Sequence, residues 1–347
     1  MKIADIYYVY IFLIYSVTNS LIIGNRDIHI GKDTSNYYNF YYAISSGYTY
    51  QGFSDPIFIL LAKIAVYLGL KSKSFLVIVS FLSSFILLLS CYIIMKRVIE
   101  KKIYITSLVV IMLNLLFLSP FYWGAQLNII RAGLSIPLIF LSIHFFSANN
   151  KFSGAFFAVL ASLIHITNIQ FVILFFVFSF FNEKGYRKFE NLYLKFYFFI
   201  IVGYLTGINR MISNVISLSA FGADQYNSYL TYDNNASNIY EAGIRYDFAF
   251  FTILFVSLLY ISKKRLNSKY FNNFFYYSTI TTIPFFLIGY IPFSDRLLST
   301  FWMLIPLLLI FFIYTFVRPR YLLHYSLPLF SIFLFINYYF SISSYMY

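Results

Sequence analysis

The chain has 347 residues, 61% of them hydrophobic and 11% charged, with 44 Phe, 35 Tyr and a net charge of +13. Mean hydropathy is +0.75, and apolar runs of membrane-spanning length recur along the chain, which excludes a string of soluble domains. The runs are continuous rather than alternating, which excludes a β-barrel; the charge fits Lys/Arg-rich cytoplasmic loops and not a nucleic-acid surface.

The expected fold is all-α: one polytopic transmembrane helical bundle over residues 1–347, of about eleven spans plus a short re-entrant or interfacial helix. Polar extracytoplasmic loops are expected at 24–55 and 209–246. The first apolar run, 3–23, lacks a small-residue cleavage site and reads as a retained helix. Spans are expected at 5–23, 74–95, 103–119, 128–146, 152–166, 168–181, 194–208, 247–261, 270–290, 297–316 and 321–340. The piece 56–70 is short and carries Lys63 near its centre, a costly residue at mid-bilayer. It is therefore expected to re-enter or to lie in the interface. Cys91, the single cysteine, lies inside an apolar run and permits no intramolecular disulfide and no cysteine-based metal site.

Four basic clusters set the orientation: 96–102 (KRVIEKK), 184–195 (KGYRKFENLYLK), 263–269 (KKRLNSK) and 318–320 (RPR). All four belong in the cytoplasm. Alternation then sends 119–131, the turn at 165–168, the loop 209–245 and 291–296 to the far side, provided 152–181 is two short helices joined at HITN. The first polar loop, with Arg26, Asp27, Lys32 and Asp33, shares that side if 56–70 does not cross. Arg26 and Asp27 are expected to pair with each other.

Charges at membrane depth need a cavity or a partner. Arg131 begins an apolar helix in QLNIIRAGLSIPLIF; the competing reading is a snorkelling interfacial arginine. Arg245 in GIRYDF and Arg296 in FSDRLL stand on the side that ordinarily lacks arginine, with Asp247 and Asp295 as possible helix caps and Glu241 a possible ion-pair partner of Arg245. His165, at the far-side turn ASLIHITNIQ, has acid–base capacity near neutral pH. His29 and His144 have weaker cases, and His144 reads as structural. Arginine binds phosphate oxygens through a planar fork and stays charged, so three far-side arginines suit a pyrophosphate.

The order of these features resembles the bacterial polysaccharide polymerases of the Wzy/EpsG type. The resemblance rests on G-x-D-T-x-x-Y (Gly31, Asp33, Thr34, Tyr37), then Asp55-Pro56-x-Phe58, then Asn128-x-x-Arg131-Ala132-Gly133-Leu134. His165, Gly243-x-Arg245-x-Asp247 and Asp295-Arg296-Leu297 follow. It depends on order and spacing, since no single motif is specific. Two positions depart from the usual pattern: Asp55 stands where the family has Glu, and Ala132 where a polar residue is common.

The resemblance implies a GT-C-like, metal-independent glycosyltransferase of the bacterial cytoplasmic membrane, needing no cofactor. It would join oligosaccharide repeat units on undecaprenyl pyrophosphate into O-antigen, capsule or exopolysaccharide at the extracytoplasmic face. The lipid bilayer and a chain-length regulator are the other expected partners. Arginines would answer the charge on the pyrophosphate leaving group; the chain offers no D-x-D and no metal-spaced cluster. Asp33, His165 and Glu241 are the candidate catalytic bases. Arg131, Arg245, Arg296, Tyr37 and Asn128 are the candidate substrate-binding residues. Two other functions fit less well. A ligase-like transferase would use similar chemistry. A lipid-linked glycan flippase or transporter would spread charge along the bundle and show a repeat, and none is evident.

Overall fold

The computed structural model describes residues 3–31, 33–48, 50, 55–99, 103–182, 186–212, 243–291 and 294–317. Those residues are helical with connecting turns and no strand. The chain divides into two compact units, Met1–Val172 with Leu309–Tyr347, and Ile173–Leu308.

In the first unit, α1 (Ile3–Gly24) lies antiparallel to α4 (Ser72–Val98). Asp5, in the first turn of α1, accepts hydrogen bonds from Tyr92 (2.6 Å) and Lys96 (2.8 Å) near the end of α4. At the other end the helices touch so closely that a Cβ on Gly24 would fall 2.6 Å from the Val77 backbone. The stretch between them therefore leaves and returns at the same end of the pair. Its helix α3 (Pro56–Tyr67) has 12 residues, about 18 Å of rise against a hydrocarbon core of about 30 Å. At that length it falls short of a full crossing by itself; Lys63 is exposed.

The first polar loop is not all loop. Residues Thr34–Ser45 form α2, with Thr34, Tyr37, Phe40 and Tyr41 buried at helical spacing. Phe40 stacks on Phe58 of α3, and Tyr41 on Phe75 of α4.

The expected span 103–119 ends early. Helix α5 (Ile103–Phe117) stops before Ser119-Pro120, and the chain turns by 58° into α6 (Pro120–Leu127). Pro120 has no N–H to continue the ladder, and Ser119 Oγ accepts the Tyr122 N–H as a new cap (3.3 Å). A second break, at Asn128–Ile129, precedes α7 (Ile130–Ser147). Helices α7 and α8 (Lys151–Ile164) form a hairpin through Asn149, which takes a left-handed φ of 62°.

Helix α7 is the buried centre of this unit. Ser83 Oγ of α4 donates to Gly133 O (2.6 Å), Ser142 Oγ donates to Gly154 O of α8 (2.8 Å), and Asn168 Nδ2 donates to Ser135 Oγ (2.7 Å). Small residues let the backbones close up, and each polar side chain finds a partner inside the helix pack. Gly133 is required here: a Cβ would lie 2.6 Å from Ala125 O. Helices α4 and α7 run parallel, since Ser83 meets Gly133 and Arg97 lies within electrostatic reach of His144. The first turn of α7, the end of α8, the end of α1 and the start of α4 therefore share one end of the unit. Asp5, Lys96, Arg97 and Lys151 mark the other.

At His165 the chain becomes extended (φ −148°, ψ 105°), then forms a 3-10 turn, Ile166–Asn168, and α9 (Ile169–Asn182). The expected two short helices joined at HITN are thus present.

The second unit takes in α9 from Ile173 onward, α10 (Tyr186–Leu205), α11 (Tyr246–Leu266), α12 (Lys269–Ile280), α13 (Ile283–Ile288) and α14 (Asp295–Phe316) as far as Leu308. Helix α10 starts ahead of the expected residue 194. The expected span 270–290 is interrupted: Thr281 and Thr282 take three-residue turn bonds (Thr281 N–H to Ser278 O, 3.2 Å), and Pro284 restarts the chain as α13. Tyrosines tie α10 to this broken element. Tyr193 and Tyr197 share hydrogen bonds with Thr279 and Thr282 at 2.7 Å, and Tyr204 donates to Gly289 O at 3.1 Å.

Among the described residues, five helices are long and apolar enough to cross a membrane, six with the bent α5–α6 pair. The expected span 321–340, the RPR cluster and Glu241 lie outside the described residues.

Candidate functional site

The site grows from four helix ends of the first unit. Asp55 precedes Pro56, the arrangement of a helix N-cap. Its side chain does not cap its own helix. Instead it has no exposed surface and accepts hydrogen bonds from the Arg131 guanidinium and from the Ile166 N–H (2.8 Å). His165 Nδ1 lies 3.8 Å from the other side of the same carboxylate, at Oδ1. One buried carboxylate therefore gathers the first turn of α7 and the break after α8.

Burial would push the Asp55 carboxyl up. The imidazole of His165, the charge of Arg131 and the Ile166 N–H outweigh that, and hold it below the usual carboxylate range. Arg131 and His165 each keep 21% of their side-chain surface exposed, so both remain reachable beside a carboxylate that is not.

Tyr37 adds the fourth wall. It is buried, edge-on to Phe58 at 6.0 Å, and hydrogen-bonded to Arg131. Burial raises its phenol pKa, so it stays neutral beside the guanidinium. Asp33 stands at the N-terminus of α2, where its backbone O accepts the Tyr37 N–H (3.2 Å), and its charge is felt by Tyr37.

The loop that carries these residues is fastened from below. Arg26, buried, donates to Thr34 Oγ1 (3.0 Å), Ile23 O (2.8 Å) and Leu127 O (3.1 Å). It binds the end of α1, the start of α2 and the break before α7. This corrects the expected Arg26–Asp27 pair: Asp27 instead accepts the His29 N–H (2.9 Å), and carbonyls satisfy the buried fork of Arg26. Gly31, with φ of +88°, fits against the same break, where a Cβ would lie 2.9 Å from Leu127 O and 3.1 Å from Asn128 Oδ1.

Arg245 and Arg296 belong to the second unit. Arg245 forms a two-pronged pair with Asp247 (3.0 and 2.7 Å) and lies 3.7 Å over the Phe248 ring. Its backbone N–H donates to Tyr204 (3.0 Å). Asp247 is thus the partner of Arg245 and not merely a cap. Asp295 contributes to the field at Arg245, and Arg296 follows it, exposed, on the first turn of α14. His144 sits buried near the opposite end of α7 from Arg131.

The sequence model of the EpsG family matches residues 7–347. The chain belongs to the EpsG family. Among curated proteins and among solved structures, nothing matches it. EpsG membership puts this multi-pass membrane protein in polysaccharide biosynthesis, with a polymerase-type glycosyltransferase role.

Within the EpsG chain, the structure brings together Tyr37, Arg131 and His165, with Asp33 and Asn128 on the adjoining turns. Asp55, the residue that joins them, enters the sequence pattern only as part of the Asp55-Pro56-x-Phe58 element. Its signal was present: an Asp before Pro at the mouth of a helix too short to cross, in a chain with only 12 acidic residues. Helix α2 was also legible, in the 34, 37, 40–41 spacing of its buried side chains.

Proposed function

We propose that this EpsG-family protein is a polysaccharide polymerase. It joins oligosaccharide repeat units carried on undecaprenyl pyrophosphate, at the outer face of the cytoplasmic membrane, by metal-independent glycosyl transfer. The observation that carries this reading is the Asp55–Arg131–His165 cluster, which pairs a reachable imidazole with a reachable guanidinium on one buried carboxylate.

In this mechanism the acceptor hydroxyl gives its proton to His165 Nε2. The hydroxyl oxygen attacks the anomeric carbon of the donor, and the bond from that carbon to the pyrophosphate oxygen breaks. The departing electron pair stays on the pyrophosphate, whose growing charge Arg131 meets; Arg245 and Arg296 are candidate phosphate ligands within the second unit. Asp55 orients the imidazole and balances the imidazolium that forms, as a carboxylate does behind a catalytic histidine. The 3.8 Å separation shortens to hydrogen-bond length when the substrate seats, as apo catalytic contacts commonly do. Asp33 is the second candidate base and Glu241 the third. Asn128 and Tyr37 line the approach to Arg131.

The outer-face assignment is supported by charge. Lys96, Arg97 and Lys151 stand at the end of the first unit opposite the cluster, and basic residues favour the cytoplasm.

The test is extension of purified lipid-linked repeat units by the purified protein, read as a gel ladder. His165→Ala and Arg131→Ala should leave single-repeat units and no ladder. A full ladder from both variants overturns the assignment.

A further inference from the structure

We propose that the outward face of α2 and the turn before α4 form a subsite for the glycan of the lipid-linked substrate. The claim rests on the polymerase reading and adds a binding surface to it. A cleft of about 530 Å³ runs along Tyr38, Asn39, Tyr42 and Ser45 to Lys71 and Ser72. Its size falls in the range of small-ligand sites, roughly 300–1,000 Å³.

The lining has the chemistry of sugar recognition. Tyrosine offers a flat apolar ring with a polar edge, which suits the C–H face of a pyranose and its rim of hydroxyls. Tyr42 is 72% exposed; Tyr38 lines the cleft through its ring, its hydroxyl being buried. The Asn39 amide, the Ser45 and Ser72 hydroxyls and the Lys71 ammonium supply donors and acceptors. The cleft wall is held in shape, because the Tyr41 hydroxyl donates to Leu70 O at 2.6 Å and its ring stacks on Phe75.

Position supports the same ligand. Helix α2 has two faces: Tyr37 turns toward Arg131, and its neighbour Tyr38 opens the cleft. A substrate with its pyrophosphate at Arg131 would have its sugars within one helix diameter of the cleft, roughly 10 Å. The other role for exposed tyrosines is an interfacial belt, which needs neither the Asn39 amide nor a formed cavity.

The probe is the repeat-unit oligosaccharide released from its lipid by mild acid, titrated into the full-length protein in nanodiscs. The wild type and His165→Ala should bind it equally. Tyr42→Ala and Asn39→Ala should each weaken binding by about five-fold or more; both positions are exposed, so neither change empties the core. Unchanged affinity in both variants, or no binding to the wild type, overturns the subsite. The ladder assay is a separate readout: the polymerase reading fails if the wild type extends no chains, whatever the titration gives.

Discussion

Arg131 of α7 and Asp55, 76 residues earlier in the chain, form an ion pair in which the carboxylate has no exposed surface and the guanidinium keeps 21%. An ion pair so enclosed is an assembly device as well as a chemical one. Removing either partner leaves the other charged and poorly solvated, at a cost of about 3–5 kcal/mol. Asp55→Asn should therefore lower the thermal unfolding temperature of the purified protein and abolish the ladder. The double variant Asp55→Asn/Arg131→Gln should recover part of the stability and none of the activity. Additive losses in the double variant would mean the two residues act independently.

The same carboxylate predicts a pH profile. Its folded-state pKa is lowered, so the folded protein binds that proton more weakly than the unfolded chain does. The stabilisation is complete above the ordinary carboxylate value, about pH 4. It is lost as the pH falls further, through the lowered folded value. Unfolding temperature against pH should drop more steeply at acid pH in the wild type than in Asp55→Asn. At about pH 6–8 Asp55 does not titrate, so a transition in polymer formation there belongs to another group.

The long apolar helices and the HITN break were legible because composition and period dictate them. The breaks at Ser119-Pro120 and Thr281–Thr282 were not, because apolar residues resume directly after each. There the helix ends because prolines remove N–H donors and side-chain oxygens take the freed bonds. The site divided in the same way. Arg131 and His165 stood out as polar groups in apolar surroundings. Asp55 did not, since an Asp before Pro is the ordinary beginning of a helix, and only the packing of α3 against α8 turns it inward. Arg26 looked like half of a local ion pair, although its partners are the Thr34 hydroxyl and two carbonyls over a hundred residues apart in sequence.

Tyr37→Phe removes one hydroxyl, which bonds both the side chain and the backbone of Arg131. The ring should keep its edge-on packing against Phe58, while Arg131 loses a phenolic partner. Stability should fall by about 0.5–1.5 kcal/mol. Polymer formation should slow more than that loss implies, because the guanidinium gains freedom to leave its position. The check is ladder rate at full substrate occupancy beside the unfolding temperature; an unchanged rate would make Tyr37 a packing residue only.

Gly31→Ala should damage the site without touching it. The added Cβ meets two oxygens at 2.9 Å, Leu127 O and Thr34 Oγ1, and the φ of +88° disfavours an L side chain. The conformational part alone costs about 1–2 kcal/mol. Both oxygens are acceptors for Arg26, so the turn should shift away from the break before α7. The expected outcome is a protein that inserts and purifies, melts several degrees lower, and extends chains poorly. Full activity would show that the break tolerates movement.

Arg245 and Asp247 separate two roles for the same pair. If the guanidinium serves only to hold the start of α11, the two alanine variants should behave alike. If it binds pyrophosphate, they should differ, because Phe248 at 3.7 Å can hold the guanidinium without Asp247. Freed from the carboxylate, its fork would still reach a phosphate. Arg245→Ala should then cost a charge-assisted bond, about 1.5–3 kcal/mol, or roughly 10–150-fold in ladder rate. Asp247→Ala should cost a few-fold at most, and Arg245→Lys should fall between them, keeping the charge and losing the fork. Equal losses in Arg245→Ala and Asp247→Ala would remove Arg245 from the list of pyrophosphate ligands.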